Sequence, residues 1–385
     1  MTGAPGLLAI IEEVFAASTR TGGADSRQLE LLTRRCGPLL SDLDVAEVVR
    51  SVIDRRNGLG MLQRWLEDPD ISEIMVNAGR DVWIERDGRL TLVGHTTAAE
   101  TARVLQRVVA PLGLRVDRSS PIVEARLADG ARVHGAIEPI AVDGPCITVR
   151  RFRAADIPVT GFCTLAAAGI VSGAVRDRRN IVVSGGTGSG KTTFLNALSA
   201  AIADDERVVT IEDSAELRLQ CRHVVRLEAR VASAEGVGAV TIRDLVRASL
   251  RMRPDRIVIG EVRGPEALDM IGALNTGHSG SLTTVHANSA RDALRRIETL
   301  ALYGDAELPL TALRRQVGAA IDVVVHLERT SEGVRRVREV CEVTHDGRDV
   351  VPIDIESDIE SAADGCAPAV HGAASLWARP PRWAS

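Results

Sequence analysis

Residues 185–192 read Gly-Gly-Thr-Gly-Ser-Gly-Lys-Thr, which fits Gly-x-x-x-x-Gly-Lys-[Ser/Thr] with Gly185, Gly190, Lys191 and Thr192 at the fixed positions. Glycines at this spacing let successive backbone N–H groups converge on an anion. A helix opening near Thr192 aims the positive end of its dipole at the same point. The chemistry is phosphate binding: Lys191 reaches the β- and γ-phosphates of ATP, and the Thr192 hydroxyl ligates Mg2+. Gly186, Thr187, Gly188, Ser189 and Thr193 complete the cradle. The bare pattern arises by chance in about one chain of this length in fifty. The strand-like run Ile181 to Ser184 and the helical stretch behind the loop make coincidence rarer. Lys191 is also the only lysine, the other 46 basic residues being arginine. A slender ammonium fits a tight phosphate site where a planar guanidinium does not.

A phosphate loop needs acidic groups for the metal and the attacking water. Two runs supply them at strand ends: Ile211-Glu212-Asp213, and Ile257-Val258-Ile259-Gly260-Glu261. Either carboxylate alone reads equally well as a solvated strand end. Together, at the C-terminal ends of strands beside the phosphate-loop strand, they point to a site, because open α/β sheets bind ligands there. A third cluster runs from Thr276 to Asn288 and holds His278 and His286 in a hydroxyl-rich setting. These histidines read either as structural or as sensors of the γ-phosphate. Zinc chemistry lacks cysteine support at the usual spacing.

The elements that must hold these groups can be read from hydrophobic period. From about residue 165, β-branched runs at 181–183, 208–211, 257–259 and 283–285 alternate with helical stretches at 192–203, 241–252 and 265–276. That alternation predicts an α/β domain over 165–348 with a mostly parallel sheet. Before it, residues 1–57 read as helical and 58–152 as a smaller α+β domain, with a linker at 153–164. After about residue 349 the chain turns Asp-, Glu-, Ala-, Gly- and Pro-rich and reads as a flexible tail over 349–385. The net charge of −5 gives no overall basic footprint for nucleic acid, and nine aromatic residues offer few stacking platforms. Six scattered cysteines without a Cys-x-x-Cys pair fit a reducing compartment. No run approaches the ~18 apolar residues of a membrane span, so the expectation is a soluble chain that meets a membrane only through a partner.

Taken together, the blocks 185–192, 210–217, 256–264 and 276–288 resemble, in this order, the Walker A loop, Asp box, Walker B and His box of the type II and type IV secretion ATPases. The runs Leu250 to Arg256, Asn275 to Ser281 and Ile71 to Asn77 look closest to the tight-adherence (Tad/Flp) pilus assembly ATPases. The resemblance covers roughly residues 55–345. It implies a RecA-like ATPase domain behind the smaller N-terminal domain, with ATP and Mg2+ as cofactors. It further implies Glu212 as the water-activating base and Glu261 as support for Mg2+ and water, although the two roles are divided variously between the boxes. His278 and His286 would couple nucleotide state to domain movement. Arginines of the N-terminal domain reach the nucleotide in this superfamily; Arg132 and Arg150 match best by position, and surface arginines on strands are the competing reading.

The resemblance also implies a hexameric ring, cytoplasmic and peripheral at the inner face of the membrane, which works against an inner-membrane platform protein. Its output would be pilus assembly or secretion. Conjugation-type ATPases share the same boxes, and a RecA-like nucleic-acid translocase is the alternative of a different class. A nucleotide-gated subunit with little turnover is a third, disfavoured by the full acidic set. Lys191→Ala is expected to fold and to lose ATP turnover by orders of magnitude, measured as phosphate release. Parent-like turnover in a folded variant contradicts the loop assignment.

Overall fold

The computed structural model describes residues 5–20, 25–151, 156–233, 235–304, 308–344 and 346–353. Two compact units divide the chain, residues 1–153 and 154–385.

The first unit opens with α1 (Pro5–Arg20), α2 (Ser26–Cys36) and α3 (Asp42–Asn57). Asp25 and Ser41 start α2 and α3 with reciprocal capping boxes. The three helices bury Ile11, Val14, Leu29, Val48 and Val52 in a small core of their own. A short α4 (Gln63–Leu66) leads to β1 (Ile71–Asn77), β2 (Asp81–Arg86) and β3 (Arg89–His95). Then come α5 (Ala98–Val109), β4 (Ile122–Arg126), β5 (Arg132–Ala136) and β6 (Cys146–Arg150). The strands form one antiparallel sheet in the order β3-β2-β1-β6-β5-β4, whose buried residues share a core with α5. Buried Arg55 at the end of α3 grips buried Glu100 of α5 with two bonds of 3.0 and 2.9 Å. That pair ties the helical segment to the α+β part, so the two form one unit.

The second unit begins inside the segment read as a linker. Phe162 is 3% exposed and stacks edge-on against Phe194 with ring centroids 5.2 Å apart, so residues 156–164 belong partly to this core. The elements that follow are α6 (Leu165–Arg176), β7 (Ile181–Gly185), α7 (Lys191–Leu198), β8 (Val208–Glu212) and β9 (Val224–Glu228). Next are α8 (Ile242–Ser249), β10 (Arg256–Ile259), α9 (Glu266–Leu274), β11 (Leu282–His286), α10 (Ala290–Leu302) and α11 (Leu310–Ala320). The unit closes with β12 (Val323–Arg329), β13 (Arg335–Val343) and β14 (Val350–Pro352). β14 corrects the tail reading: Val350–Pro352 pairs with β13. The rest of the expected tail, from 354, lies outside the described residues.

The sheet order is β14-β13-β12-β7-β11-β10-β8-β9, parallel from β12 to β9, with β13 and β14 added antiparallel at one edge. Strands buried on both faces read as unbroken apolar runs, which is why β7, β8 and β10 are buried along their whole length. Helices cover both faces and two cores form, one shared with α8 to α11 and one with α6 and α7.

A buried polar network pins the N-terminal edge of this sheet. Fully buried Arg256 holds Glu206 with two bonds of 2.8 and 2.7 Å and donates to the Val175 and Gly280 carbonyls. The Asn180 side chain accepts from the Gly280 and Ser281 N–H groups and donates to the Ala320 carbonyl. With the strand starts fixed, the C-terminal ends are free to carry the site. Among the described residues no helix is long and apolar enough to cross a membrane.

Candidate active site

The phosphate loop runs from the end of β7 into α7, as the spacing predicts. Its glycines are there for backbone reasons. Gly185 has φ 155° and a Cβ on it would come 2.5 Å from both the Leu327 carbonyl and Ser189 Oγ. Gly190 caps α7 with φ 91°, where a Cβ would meet Arg335 Cδ at 3.1 Å and Phe162 at 3.2 Å. Gly186, Thr187 and Gly188 are exposed, Thr192 and Thr193 half-buried, and Ser189 is buried with its hydroxyl on the Gly186 carbonyl at 2.9 Å. The loop is therefore an open cradle on a rigid base, a shape that suits a phosphate chain. The hydroxyl and carboxylate oxygens of Thr192 and Glu261 are the hard donors Mg2+ prefers. No described group of three or more His, Cys, Asp or Glu could hold a metal unaided, so nucleotide phosphates would supply the remaining oxygens.

Lys191 is 8% exposed. Its ammonium donates to the Gly185 carbonyl at 3.0 Å and the Gly186 carbonyl at 2.9 Å, and lies 3.4 Å from His286 Nε2. Burial pulls its pKa below the ordinary lysine value, while the charge of Glu261 pushes the other way. His286 ends β11, directly opposite Gly185 in the register. Its Nε2 lies 3.0 Å from Glu261 Oε1. Burial first, and the Lys191 charge second, depress the imidazole pKa against the opposing pull of Glu261. The ring is therefore mainly neutral near pH 7.

Glu261 follows β10 by two residues. Its Oε2 accepts a 2.5 Å bond from Arg263, and the Glu266 carboxylate caps the Arg263 and Gly264 N–H groups at 2.7 Å. Glu212 ends β8 and is 4% exposed. One of its oxygens accepts from the Glu216 and Leu217 N–H groups, both at 2.9 Å, while the other is buried with no hydrogen-bond partner. Burial raises this carboxyl to about 7 despite those two N–H groups. Gly260 is required here, because a Cβ on it would come 2.8 Å from Glu212 Cγ.

The sheet thus brings together Lys191, His286 and Glu261, with Glu212 next in line across Gly260. It differs from the expected adjacency in one respect. β11, carrying His286, lies between the phosphate-loop strand and β10, and β8 lies one strand further out. His278 is not among the gathered groups. It stands before β11, at the opposite end of that strand from His286, where its Nδ1 lies 3.1 Å from the Ala273 carbonyl. Arg132 and Arg150 belong to the first unit and face each other across β5 and β6. Arg150 Nε is 3.4 Å from Glu73 Oε1.

Three arginines escaped sequence reasoning. Arg126 faces Arg132 from the other side, making a row of three arginines across adjacent strands that continues to Glu73 on β1. Arg329 and Arg335 overlook the phosphate loop from paired positions on β12 and β13. Arg329 Nη1 is 3.6 Å from where a Gly188 Cβ would lie. The Arg-rich hairpin 329–338 was the available signal.

A phosphate loop on a mainly parallel, helix-covered sheet, with carboxylates and a histidine at the C-terminal strand ends, defines a RecA-like ATPase domain. A match to the family described as type II/IV secretion system protein spans residues 55–373, and the chain belongs to that family. A Mycobacterium tuberculosis protein with a provisional conjugal-transfer name is 39% identical over 316 residues, covering 79% of this chain and 89% of the relative. Conjugal transfer protein TrbB of Rhizobium radiobacter is 38% identical over 288 residues, covering 72% and 85%. The Legionella pneumophila ATPase DotB shares the fold at a TM-score of 0.53 and 19% identity, over 75% of this chain and 81% of that one.

The raised Glu212 carboxyl has a cost in stability. A carboxyl whose folded pKa lies above its ordinary 4.5 stabilises the fold fully below that value and loses the contribution as pH rises to about 7. At pH 8 the charged form costs up to about 3 kcal/mol. Glu212→Gln is expected to melt higher than the parent at pH 8, with the gain shrinking toward pH 5. Melting curves at both pH values check this, and a difference that does not depend on pH contradicts the burial argument.

Proposed function

We propose that the chain is an ATP-hydrolysing, ring-forming motor of a type II/IV-like secretion, conjugation or pilus system. The observation that carries the reading is the meeting of Lys191, His286 and Glu261 at the mouth of the phosphate loop, with a buried, protonatable Glu212 beside them. ATP and Mg2+ are the proposed cofactors; the metal, when bound, would offset the negative charge of the phosphates.

The chain's own groups then divide the work. Backbone N–H groups of 186–190 and the start of α7 hold the phosphates, and Lys191 turns from the loop carbonyls to them. Thr192 and Glu261 would hold the metal. Glu212 takes a proton from the attacking water on its unpartnered oxygen, a role suited to a pKa near working pH. His286, opposite Gly185 and in contact with Lys191 and Glu261, registers whether the γ-phosphate is present. A coupling role for His278 would be exerted from the far end of β11. Arg132 and Arg150 are assigned to transition-state charge on the strength of the family resemblance.

The narrower assignment to a Tad/Flp-type pilus rests on the runs 71–77, 250–256 and 275–281. The conjugation-type alternative is favoured by the names of the relatives. Deleting the gene and scoring surface pili against plasmid transfer separates the two. A homo-hexamer working on an inner-membrane platform protein, peripheral at its cytoplasmic face, completes the proposal; nucleic acid is not a proposed substrate, and turnover stimulated by single-stranded DNA would contradict that.

Sedimentation with a slowly hydrolysed ATP analogue is expected to show a closed ring, since heterologous contacts that close give cyclic assemblies. Arg132→Ala and Arg150→Ala are expected to keep nucleotide binding and lose about tenfold or more in turnover. A chain that stays monomeric under every condition, with both variants fully active, contradicts the motor reading.

A further inference from the structure

Glu261 has one basic side chain beside each carboxylate oxygen. Its carboxylate, 17% exposed, has His286 Nε2 at 3.0 Å from one oxygen and Arg263 Nη2 at 2.5 Å from the other. Lys191 is held by the Gly185 and Gly186 carbonyls. The permanent charge bonded directly to Glu261 is that of Arg263. That guanidinium is 58% exposed, so it can leave without large desolvation. Its Nη1 lies 3.9 Å from Asp213 Oδ2, a 53% exposed carboxylate one residue beyond β8. A fork of five donors can pivot between two carboxylates at this separation.

We propose that Arg263 is a positioning residue that competes with the divalent metal for Glu261, and that metal loading hands its guanidinium to Asp213. The inference rests on Glu261 being the metal-supporting carboxylate. A small divalent cation and a guanidinium bound to the same carboxylate repel each other at close range, and that repulsion offsets much of what each gains there. In the nucleotide-free state Arg263 stands in for the metal's charge and keeps Glu261 in place. On loading it swings to Asp213, so the acidic run after β8 registers metal occupancy after β10. A partly exposed ion pair of this kind is worth a factor of about two to five in a competing equilibrium.

The test is a Mg2+ titration of the full chain with a fluorescent ADP derivative, with metal-free affinity measured in EDTA. Arg263→Gln is expected to lower the half-saturating Mg2+ about two- to fivefold while binding metal-free ADP no tighter than the parent. Arg263→Lys, which keeps the charge, should stay near the parent. Glu261→Gln should raise the Mg2+ requirement. An unchanged or raised requirement in Arg263→Gln overturns the inference. If Glu261→Gln also leaves the requirement unchanged, the metal-supporting role of Glu261 fails with it. If Glu261→Gln raises the requirement, only the role of Arg263 fails.

Discussion

An ammonium taken out of water must find compensation within a few ångströms or give up its proton. Lys191, the single lysine of the chain, is in that position, and the surroundings of the phosphate loop answer it. Two backbone carbonyls accept its protons, His286 stays mainly neutral beside it, and the field of Glu261 holds it charged. The carbonyls belong to Gly185 and Gly186, where the chain leaves β7 with a φ that an L side chain rarely adopts. Residues that tolerate the backbone geometry and residues that balance the charge are thus parts of one requirement.

Parallel topology makes the requirement attainable. Every strand from β12 to β9 delivers its C-terminal end to the same edge, so groups far apart in sequence become neighbours without long side chains. The Arg256 and Asn180 networks hold the opposite edge in register, and a register slip of one residue would turn His286 away from Lys191. The cost appears at Glu212. Its carboxyl is buried deeply enough to be raised to about 7, and β8 stands three strands from β7, roughly 14 Å at about 4.8 Å per strand. Gly260 lies between Glu212 and the rest of the site, and only a glycine leaves room for the carboxylate there.

Local signals made part of this legible from residues alone. The loop motif, the β-branched runs and the acidic strand ends are short-range patterns, and they led to the RecA-like domain and to Lys191, Glu212, Glu261 and His286. What depended on cross-strand register was not legible. Arg126 joins Arg132 only through the pairing of β4 with β5, and Arg329 meets the phosphate loop only because β12 lies against β7. His278 and His286 look equivalent as a spaced pair, yet the five-residue strand between them, roughly 16 Å at about 3.3 Å per residue, puts them at opposite edges of the sheet. Val350–Pro352 read as the start of a tail because a three-residue edge strand carries too little pattern to stand out from acidic, Gly- and Pro-rich neighbours.

If burial at the strand ends sets the chemistry, the proton-accepting group of the site should titrate where burial places it and not where a solvated carboxylate would. The most direct measurement is kcat/KM for Mg·ATP between pH 5.5 and 8.5, which reports ionisations of the free enzyme. Activity should rise with pH through a midpoint near 7, with Glu212→Gln both slow and flat across that range. A flat profile in the parent, or the same rising limb persisting in Glu212→Gln, would contradict it.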